Sequence, residues 1–239
     1  MRTTFGEVRC IYLGSIGTLV ETSELQRLAF NSAFKEYGLP WKWDLKEYQE
    51  MLLKAGGQDR LKRYAASCNT NLDEKGIKAL HGLKTQFFEE LLQSKTLFPR
   101  EGVEELMTTC LKNKIKLCWI TSTSQQNINA IRASLKEKLD FNIFDIITSE
   151  NDCIKSKPDP EIYLNSMKKT QIPKHLSVAI EDSESGFHSA ETAGLKCLVV
   201  PGEYKKSQNY SSSACVLPSL KNFHIDQSSL GFYSASAIT

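Results

Sequence analysis

The feature that most constrains this chain is where its strand-like runs stop and where they resume. Residues 8–13 are short and almost continuously apolar, the pattern of a strand buried on both faces. They run into Gly14-Ser15-Ile16-Gly17-Thr18, a glycine-containing turn. From Ser23 only helical spacing follows. Leu25, Leu28, Ala29 and Phe34 mark a first helix that Gly38 and Pro40 end, and Leu45, Tyr48, Leu52 and Leu53 mark a second. Leu61, Tyr64 and Ala65 mark a third, and Ile77, Leu80, Leu83, Phe87, Phe88 and Leu91 a longer fourth. Strand-like runs return at 115–121 and then alternate with helices, at 146–147, 176–180, 197–200 and, weakly, 214–217.

Strands joined through helices by short connections require a parallel sheet flanked on both faces. The all-helical stretch between the first strand and the second unit is then an insertion. It follows the first strand directly, which puts it at the carboxyl edge of the sheet, where doubly wound sheets bind ligands. The expected fold is α/β: a doubly wound parallel sheet built from 1–21 and 96–227, with residues 22–95 as an inserted helical cap. The small, polar segment 228–239 is expected to fray as a flexible tail.

Composition acts mainly by exclusion. The 239 residues carry 30 Lys+Arg against 28 Asp+Glu, a net charge of +2, with no basic block for nucleic acid and no acidic tail. No apolar stretch is long enough to span a membrane, and Met1-Arg2-Thr3-Thr4-Phe5-Gly6-Glu7 lacks the apolar core of a secretory leader. The seven cysteines are scattered, with no C-x-x-C pair and no zinc spacing beside the four histidines. Reduced, mostly buried thiols in the cytoplasm are expected. Oligomeric state is not legible.

Four segments lie at predicted strand ends. They are Gly14-Ser15-Ile16-Gly17-Thr18-Leu19-Val20-Glu21-Thr22, Ile120-Thr121-Ser122-Thr123-Ser124, Lys155-Ser156-Lys157-Pro158-Asp159-Pro160 and Ile180-Glu181-Asp182-Ser183-Glu184-Ser185-Gly186. Together they bring hydroxyls, an ammonium and paired carboxylates to one sheet edge, the chemistry that suits a phosphoryl group with a divalent cation.

Order, spacing and the helical insertion resemble the haloacid dehalogenase (HAD) superfamily over nearly the whole chain. Within it the chain looks most like the CbbY-type sugar-phosphate phosphatases, relatives of β-phosphoglucomutase. Arg27-Leu28-Ala29-Phe30-Asn31-Ser32-Ala33-Phe34, Trp41-Lys42-Trp43-Asp44, Gly56-Gly57-Gln58-Asp59-Arg60, Lys84-Thr85, Arg100-Glu101-Gly102-Val103 and Val216-Leu217-Pro218-Ser219-Leu220 carry that likeness. The resemblance implies an HAD-like Rossmannoid core. It implies Thr121, Ser122 and Lys157 around a phosphate, and Gly57, Gln58, Asp59, Arg60 and Lys84 in the cap against substrate. It also implies magnesium held by Asp182, Glu181 and the backbone carbonyl of residue 16.

The family's first motif reads Asp-x-Asp-Gly-Thr, the first aspartate being nucleophile and metal ligand and the second the general acid/base. Here Gly14 and Ile16 stand in those places. Neither can do that chemistry, so no catalytic residue is expected and magnesium binding should be weakened and not required. Side chains alternate along a strand, so positions 14 and 16 share a side and Ser15 is expected to point away, with no base evident to activate it. Glu21 lies too far past the strand end to replace the nucleophile. The expected function is a phosphatase homologue without phosphatase activity that binds a phosphorylated small molecule or a protein. A magnesium-dependent sugar-phosphate phosphatase of altered route, or a scaffolding protein without a small ligand, stays open.

Each residue also has a plainer reading. Glu181 and Asp182 could cap the helix that follows, Lys84 could be a solvated helix charge, and Thr121 a strand-end threonine. Trp41 and Trp43 read as cap core, and His188 as a structural residue on a helix face. Gly14-x-x-Gly17 is too short for a dinucleotide fingerprint.

Overall fold

The computed structural model describes residues 3–14, 16–54, 56–206, 208, 210, 215–226 and 231–234. Its centre is a six-stranded parallel sheet. In chain order the strands are β2 (Cys10–Gly14), β3 (Lys116–Ile120), β4 (Ile146–Ile147), β5 (Ser177–Glu181), β6 (Lys196–Val199) and β7 (Cys215–Val216). Their spatial order is β4-β3-β2-β5-β6-β7. The chain steps from β2 to β3 on one side and later crosses to β5 on the other. The switch point therefore lies at the carboxyl end of β2, at Gly14. Every residue of β2 and of β5 is buried, as central strands covered on both faces must be.

Helices cover the two faces: α6 (Val103–Lys112), α7 (Gln125–Leu135), α8 (Glu161–Thr170) and α9 (Glu184–Thr192), with the single turn α1 (Ile16–Leu19) directly after β2. On one side Ile11, Leu13, Leu117, Trp119, Val178 and Ile180 pack with α6 and α7 residues such as Met107 and Ile131. On the other, Tyr12, Cys118, Ala179 and Val199 pack with Ile162, Tyr163 and Phe187. Alternate residues of one strand thus serve two cores.

Between α1 and α6 lie α2 (Ser23–Glu36), α3 (Leu45–Met51), α4 (Gly57–Ser67) and α5 (Glu74–Ser94). The sequence starts these helices by local chemistry. Asp44 accepts the Glu47 N–H at 2.8 Å and Asp73 accepts the Gly76 N–H at 2.7 Å, capping α3 and α5. The block has its own core of Phe30, Phe34, Trp41, Trp43, Tyr48, Leu61 and Leu80. Trp43 lies 4.7 Å from both Phe30 and Phe34, ring centre to ring centre. Asn31 holds the loop there, accepting the Trp43 N–H at 2.8 Å and donating to its carbonyl at 2.9 Å.

A second sheet departs from the sequence reading. Strands β1 (Thr3–Glu7), β8 (Phe223–Asp226) and β9 (Gly231–Ser234) form an antiparallel sheet in the order β1-β9-β8. Residues 231–234 fall inside the segment expected to fray. Instead they pair with both ends of the chain, Thr3 opposite Ser234 and Phe223 also opposite Ser234. No local pattern announces a strand that draws half of its hydrogen-bond partners from the opposite end of the sequence. The rest of that expectation, at 228–230 and 235–239, lies outside the described residues.

The thiols are all free, with Cys10, Cys110, Cys118 and Cys197 buried. Among the described residues no helix is long and apolar enough to cross a membrane.

Candidate functional site

The carboxyl ends of β2, β3 and β5 converge under the cap. Gly14 ends β2, and the space a side chain would occupy there is already filled: a Cβ would overlap the Glu181 carboxylate. Glu181 ends β5 and is fully buried. Its Oε1 accepts from Lys157 Nζ and from the Tyr163 hydroxyl, each at 2.5 Å. Lys157 also donates to the Ile120 carbonyl at 2.9 Å. Burial, and then the charge of Glu181, push the Tyr163 hydroxyl well above its ordinary pKa, so it stays a donor. Where the resemblance puts a nucleophilic carboxylate from β2, this chain has a carboxylate from β5, closed into an ion pair.

The neighbouring Asp182 is equally buried and forms the second pair. Lys205 Nζ donates to its Oδ2 at 2.5 Å. A Cβ on Gly17 would overlap that same oxygen, so glycine is what lets the carboxylate approach α1. Burial works to lower the Lys205 pKa, but Asp182, then Glu21 and Glu181, raise it above the ordinary lysine value. The other oxygen, Oδ1, is buried with no hydrogen-bond partner among the described residues.

Helix capping explains neither carboxylate. Ser183 is the N-cap of α9, its hydroxyl accepting the Gly186 N–H at 3.2 Å. The capping reading of Glu181 and Asp182 is thereby corrected: the serine after them does that work and leaves both carboxylates to the lysines.

A cleft of about 520 Å³ lies between core and cap. Ile16, Gly17, Thr121, Ser122, Thr123, Ser124 and Lys205 line its floor. Thr121 accepts the Thr123 N–H at 3.2 Å through its hydroxyl, and Ser124 caps α7 by accepting the Asn127 N–H at 3.3 Å. From the cap come Gly57, Gln58, Asp59, Arg60, His81 and Lys84. Arg60 donates to the carbonyls of Met51 and Lys54, both at 3.3 Å, and lies over Phe30 and Tyr48. Lys84 donates to Gln26 and lies over Phe30 and Phe88. Burial, and then Arg60, bring Lys84 down to about 7, while burial with Lys84 and Arg60 brings His81 down to about 4.

The structure thus sorts the predicted residues. Thr121, Ser122, Gly57, Gln58, Asp59, Arg60 and Lys84 meet around one cleft. Lys84 is 3% exposed, which corrects its reading as a solvated charge. Gly57, Asp59 and Arg60 do begin a helix, α4, and face the cleft as well. Lys157, Glu181 and Asp182 stand behind the cleft floor rather than on it. Ile16 opens α1 instead of continuing β2, so positions 14 and 16 are not successive same-face positions of one strand. Ser15 lies outside the described residues. His188, half exposed on α9 beside Glu184 and Glu191, takes no part.

Sequence reasoning missed Tyr163, His81 and Lys205. The signal for Lys205 was positional only: Gly202-Glu203-Tyr204-Lys205 follows β6 at the sheet edge that carries the other three segments.

The residues implied for magnesium do not fit it. The ion demands near-octahedral oxygen ligands at ~2.0–2.1 Å. Asp182 offers one free oxygen beside an ammonium, Glu181 is held by Lys157 and Tyr163, and position 14 offers none. The Ile16 carbonyl already accepts the Val20 N–H at 2.9 Å. No three Asp, Glu, His or Cys side chains cluster as metal ligands among the described residues.

Residues 17–200 match the family model for haloacid dehalogenase-like hydrolases, a match that begins just past positions 14 and 16. The protein CbbY of Rhodobacter capsulatus is 30% identical over 90% of this chain and 94% of its own length. A phosphorylated carbohydrates phosphatase of Thermotoga maritima is 30% identical over 75% of this chain and 79% of its own. Crystal structures of CbbY from Rhodobacter sphaeroides, one in complex with phosphate and one, of a mutant, with xylulose-(1,5)bisphosphate, superpose with a TM-score of 0.83. Each is 32% identical and covers 89% of this chain and 95% of the crystallised one.

Proposed function

The chain belongs to the haloacid dehalogenase-like hydrolase family, in its CbbY-type branch, and from that premise we propose that it binds a phosphorylated sugar or a similar phosphate monoester in the cap–core cleft without hydrolysing it. One observation carries this reading: at position 14 the Glu181 carboxylate fills the side-chain space, bonded to Lys157 and Tyr163. A nucleophile must present a free oxygen to the phosphorus. Glu181 Oε1 instead takes two hydrogen bonds and lies behind the cleft floor. Ile16 supplies no proton to a leaving group. Loss of a hydrolase's nucleophile costs about 10⁶ in rate, and the remaining parts act as one unit with it.

Binding, by contrast, keeps its parts. The floor carries four hydroxyl side chains in a row and the ammonium of Lys205, and the cap carries Arg60 and Lys84. Cations on both walls suit a ligand with a phosphate at one end and a polar or second anionic group at the other. Magnesium is weakened to the point of being unnecessary, because its expected ligands are engaged elsewhere.

The phosphatase of Thermotoga maritima favours a second reading, a magnesium-dependent phosphatase of altered route. A steady-state assay on sugar mono- and bisphosphates, with magnesium and with chelator, separates the two. The expected result is no release of phosphate above that of a Lys157→Ala control. Magnesium-dependent turnover near ~1 s⁻¹, within the ordinary enzyme range, would establish the phosphatase instead. A thermal-shift screen with the same compounds tests binding, and no shift with any of them would favour a scaffold without a small ligand.

A further inference from the structure

Building on the reading of the cleft as an anion site, we propose that Lys205 is a built-in cation standing in for the family's magnesium ion, so that this chain holds a phosphate monoester with no metal at all. Lys205 Nζ lies 2.5 Å from Asp182 Oδ2, the carboxylate that the resemblance assigns to the metal. It also lies 3.5 Å from where a Cβ on Gly17 would be, so it sits against the turn that follows β2. Its side chain is 13% exposed, and that exposed part forms cleft wall beside Ile16, Gly17 and Thr121. Lys157, the lysine expected to meet the phosphate, is turned behind the floor onto Glu181.

The segment that delivers Lys205 is tied down on all sides. Gly202 N–H donates to the Asp182 carbonyl at 3.0 Å, and Lys205 N–H donates to the Gly202 carbonyl at 2.9 Å. Glu203 N–H donates to Glu21 at 2.7 Å, and the Tyr204 hydroxyl donates to Glu24 of α2 at 2.5 Å. Arg100 donates to the carbonyls of Gly17, Val200 and Pro201, each at 2.8 Å, bracing the two turns against each other. An ammonium on a flexible stem costs side-chain entropy to hold in place. Here the backbone beneath it is fixed before any ligand arrives.

Both carboxylates find a counter-charge without a metal. Two buried carboxylates, Glu181 and Asp182, face the buried ammonium of Lys157 and the partly exposed ammonium of Lys205. A divalent ion placed beside Asp182 would meet the Lys205 ammonium within a few ångströms and a single free oxygen, Oδ1. A phosphate approaching from the cleft meets that same ammonium as an attraction.

The test uses the full chain, inorganic phosphate as probe and calorimetric titration in millimolar magnesium and in chelator. Wild type is expected to bind phosphate equally in both, within about twofold. Lys205→Ala is expected to lose roughly tenfold or more in chelator, about 1.4 kcal/mol, and to recover part of it with magnesium. Magnesium should also raise the melting temperature of Lys205→Ala but not of wild type. Phosphate binding by wild type that requires magnesium, or full binding by Lys205→Ala in chelator, overturns the proposal while leaving the anion site standing. If wild type binds no phosphate in either condition, the anion reading fails. The melting arm then still judges Lys205: a magnesium shift confined to Lys205→Ala upholds it as the metal's replacement, and any other pattern sinks it. Lys205→Gln, which keeps a donor for Asp182, serves where Lys205→Ala does not fold, and the wild-type comparison needs neither.

Discussion

The two walls of the cleft treat buried positive charge in opposite ways. In the core, each lysine of the site meets a buried carboxylate: Lys157 with Glu181 and Lys205 with Asp182, both at 2.5 Å. In the cap, Arg60 and Lys84 are as deeply buried, yet their partners are carbonyls, the Gln26 side chain and aromatic faces. Burial raises the energy of a charged group unless a counter-charge offsets it. The pKa directions record this: Lys205 moves up beside its aspartate, and Lys84 and Arg60 move down. The core thus pairs each of these two lysines with a carboxylate, and the cap is a pair of cations without a carboxylate partner among the described residues. A ligand with a second negative group would supply what the cap lacks.

The sharpest way to break this comparison is to unpair the core. Glu181→Ala should cost about 3–5 kcal/mol, because it strands the Lys157 ammonium in a buried site. Urea unfolding should show it, and adding Lys157→Met should recover much of the loss. A cost below about 1 kcal/mol would mean the pair is not a closed unit.

The cap should answer in the opposite direction. Lys84→Met removes an unpaired buried charge and should stabilise by about 1–3 kcal/mol below pH 7. The sign follows from its lowered pKa. Below about 7 folded and unfolded chains both carry the proton, and the burial cost is full. Between about 7 and the ordinary 10.5 the unfolded chain binds a proton that the folded chain lacks, so stability rises with pH through that window. Lys84→Met should flatten that part of the profile. An unchanged slope would place the charge cost elsewhere.

Smaller again is the effect on binding. Phosphate monoester affinity should fall by up to about tenfold, 1.4 kcal/mol, as pH rises through 7 and Lys84 loses its charge. Calorimetry on wild type and Lys84→Met separates this from titration of the ligand itself. In magnesium binding, the smallest change of all is expected from Gly14→Asp with Ile16→Asp. A side chain at 14 runs into Glu181, and Lys205 still holds Asp182. The double variant should therefore gain no magnesium binding until Lys205→Ala is added.

Much of the fold was legible. Apolar runs at strand spacing and stripes at helix spacing report burial, and burial is what periodicity encodes. Hence the sheet and the helical cap follow from spacing. The antiparallel sheet at the chain ends was not legible, because its central strand, Gly231–Ser234, is held between Thr3–Glu7 from the other end of the chain and Phe223–Asp226. In the site, the cleft-lining residues Thr121, Ser122, Arg60 and Lys84 were read from strand-end position and family resemblance. The partners were not. Glu181 with Tyr163 and Lys157, and Asp182 with Lys205, join residues 18, 24 and 23 positions apart in the chain.

By itself, then, the sequence determined that Gly14 and Ile16 cannot act as carboxylates, since no fold can give a side chain atoms it lacks. Only the tertiary structure decided what occupies the vacated space: a carboxylate from β5 over Gly14 and an ammonium from the turn after β6 against Asp182. A charged side chain has no periodicity of its own. Its role is set by which opposite charge the fold brings within a few ångströms once water is excluded.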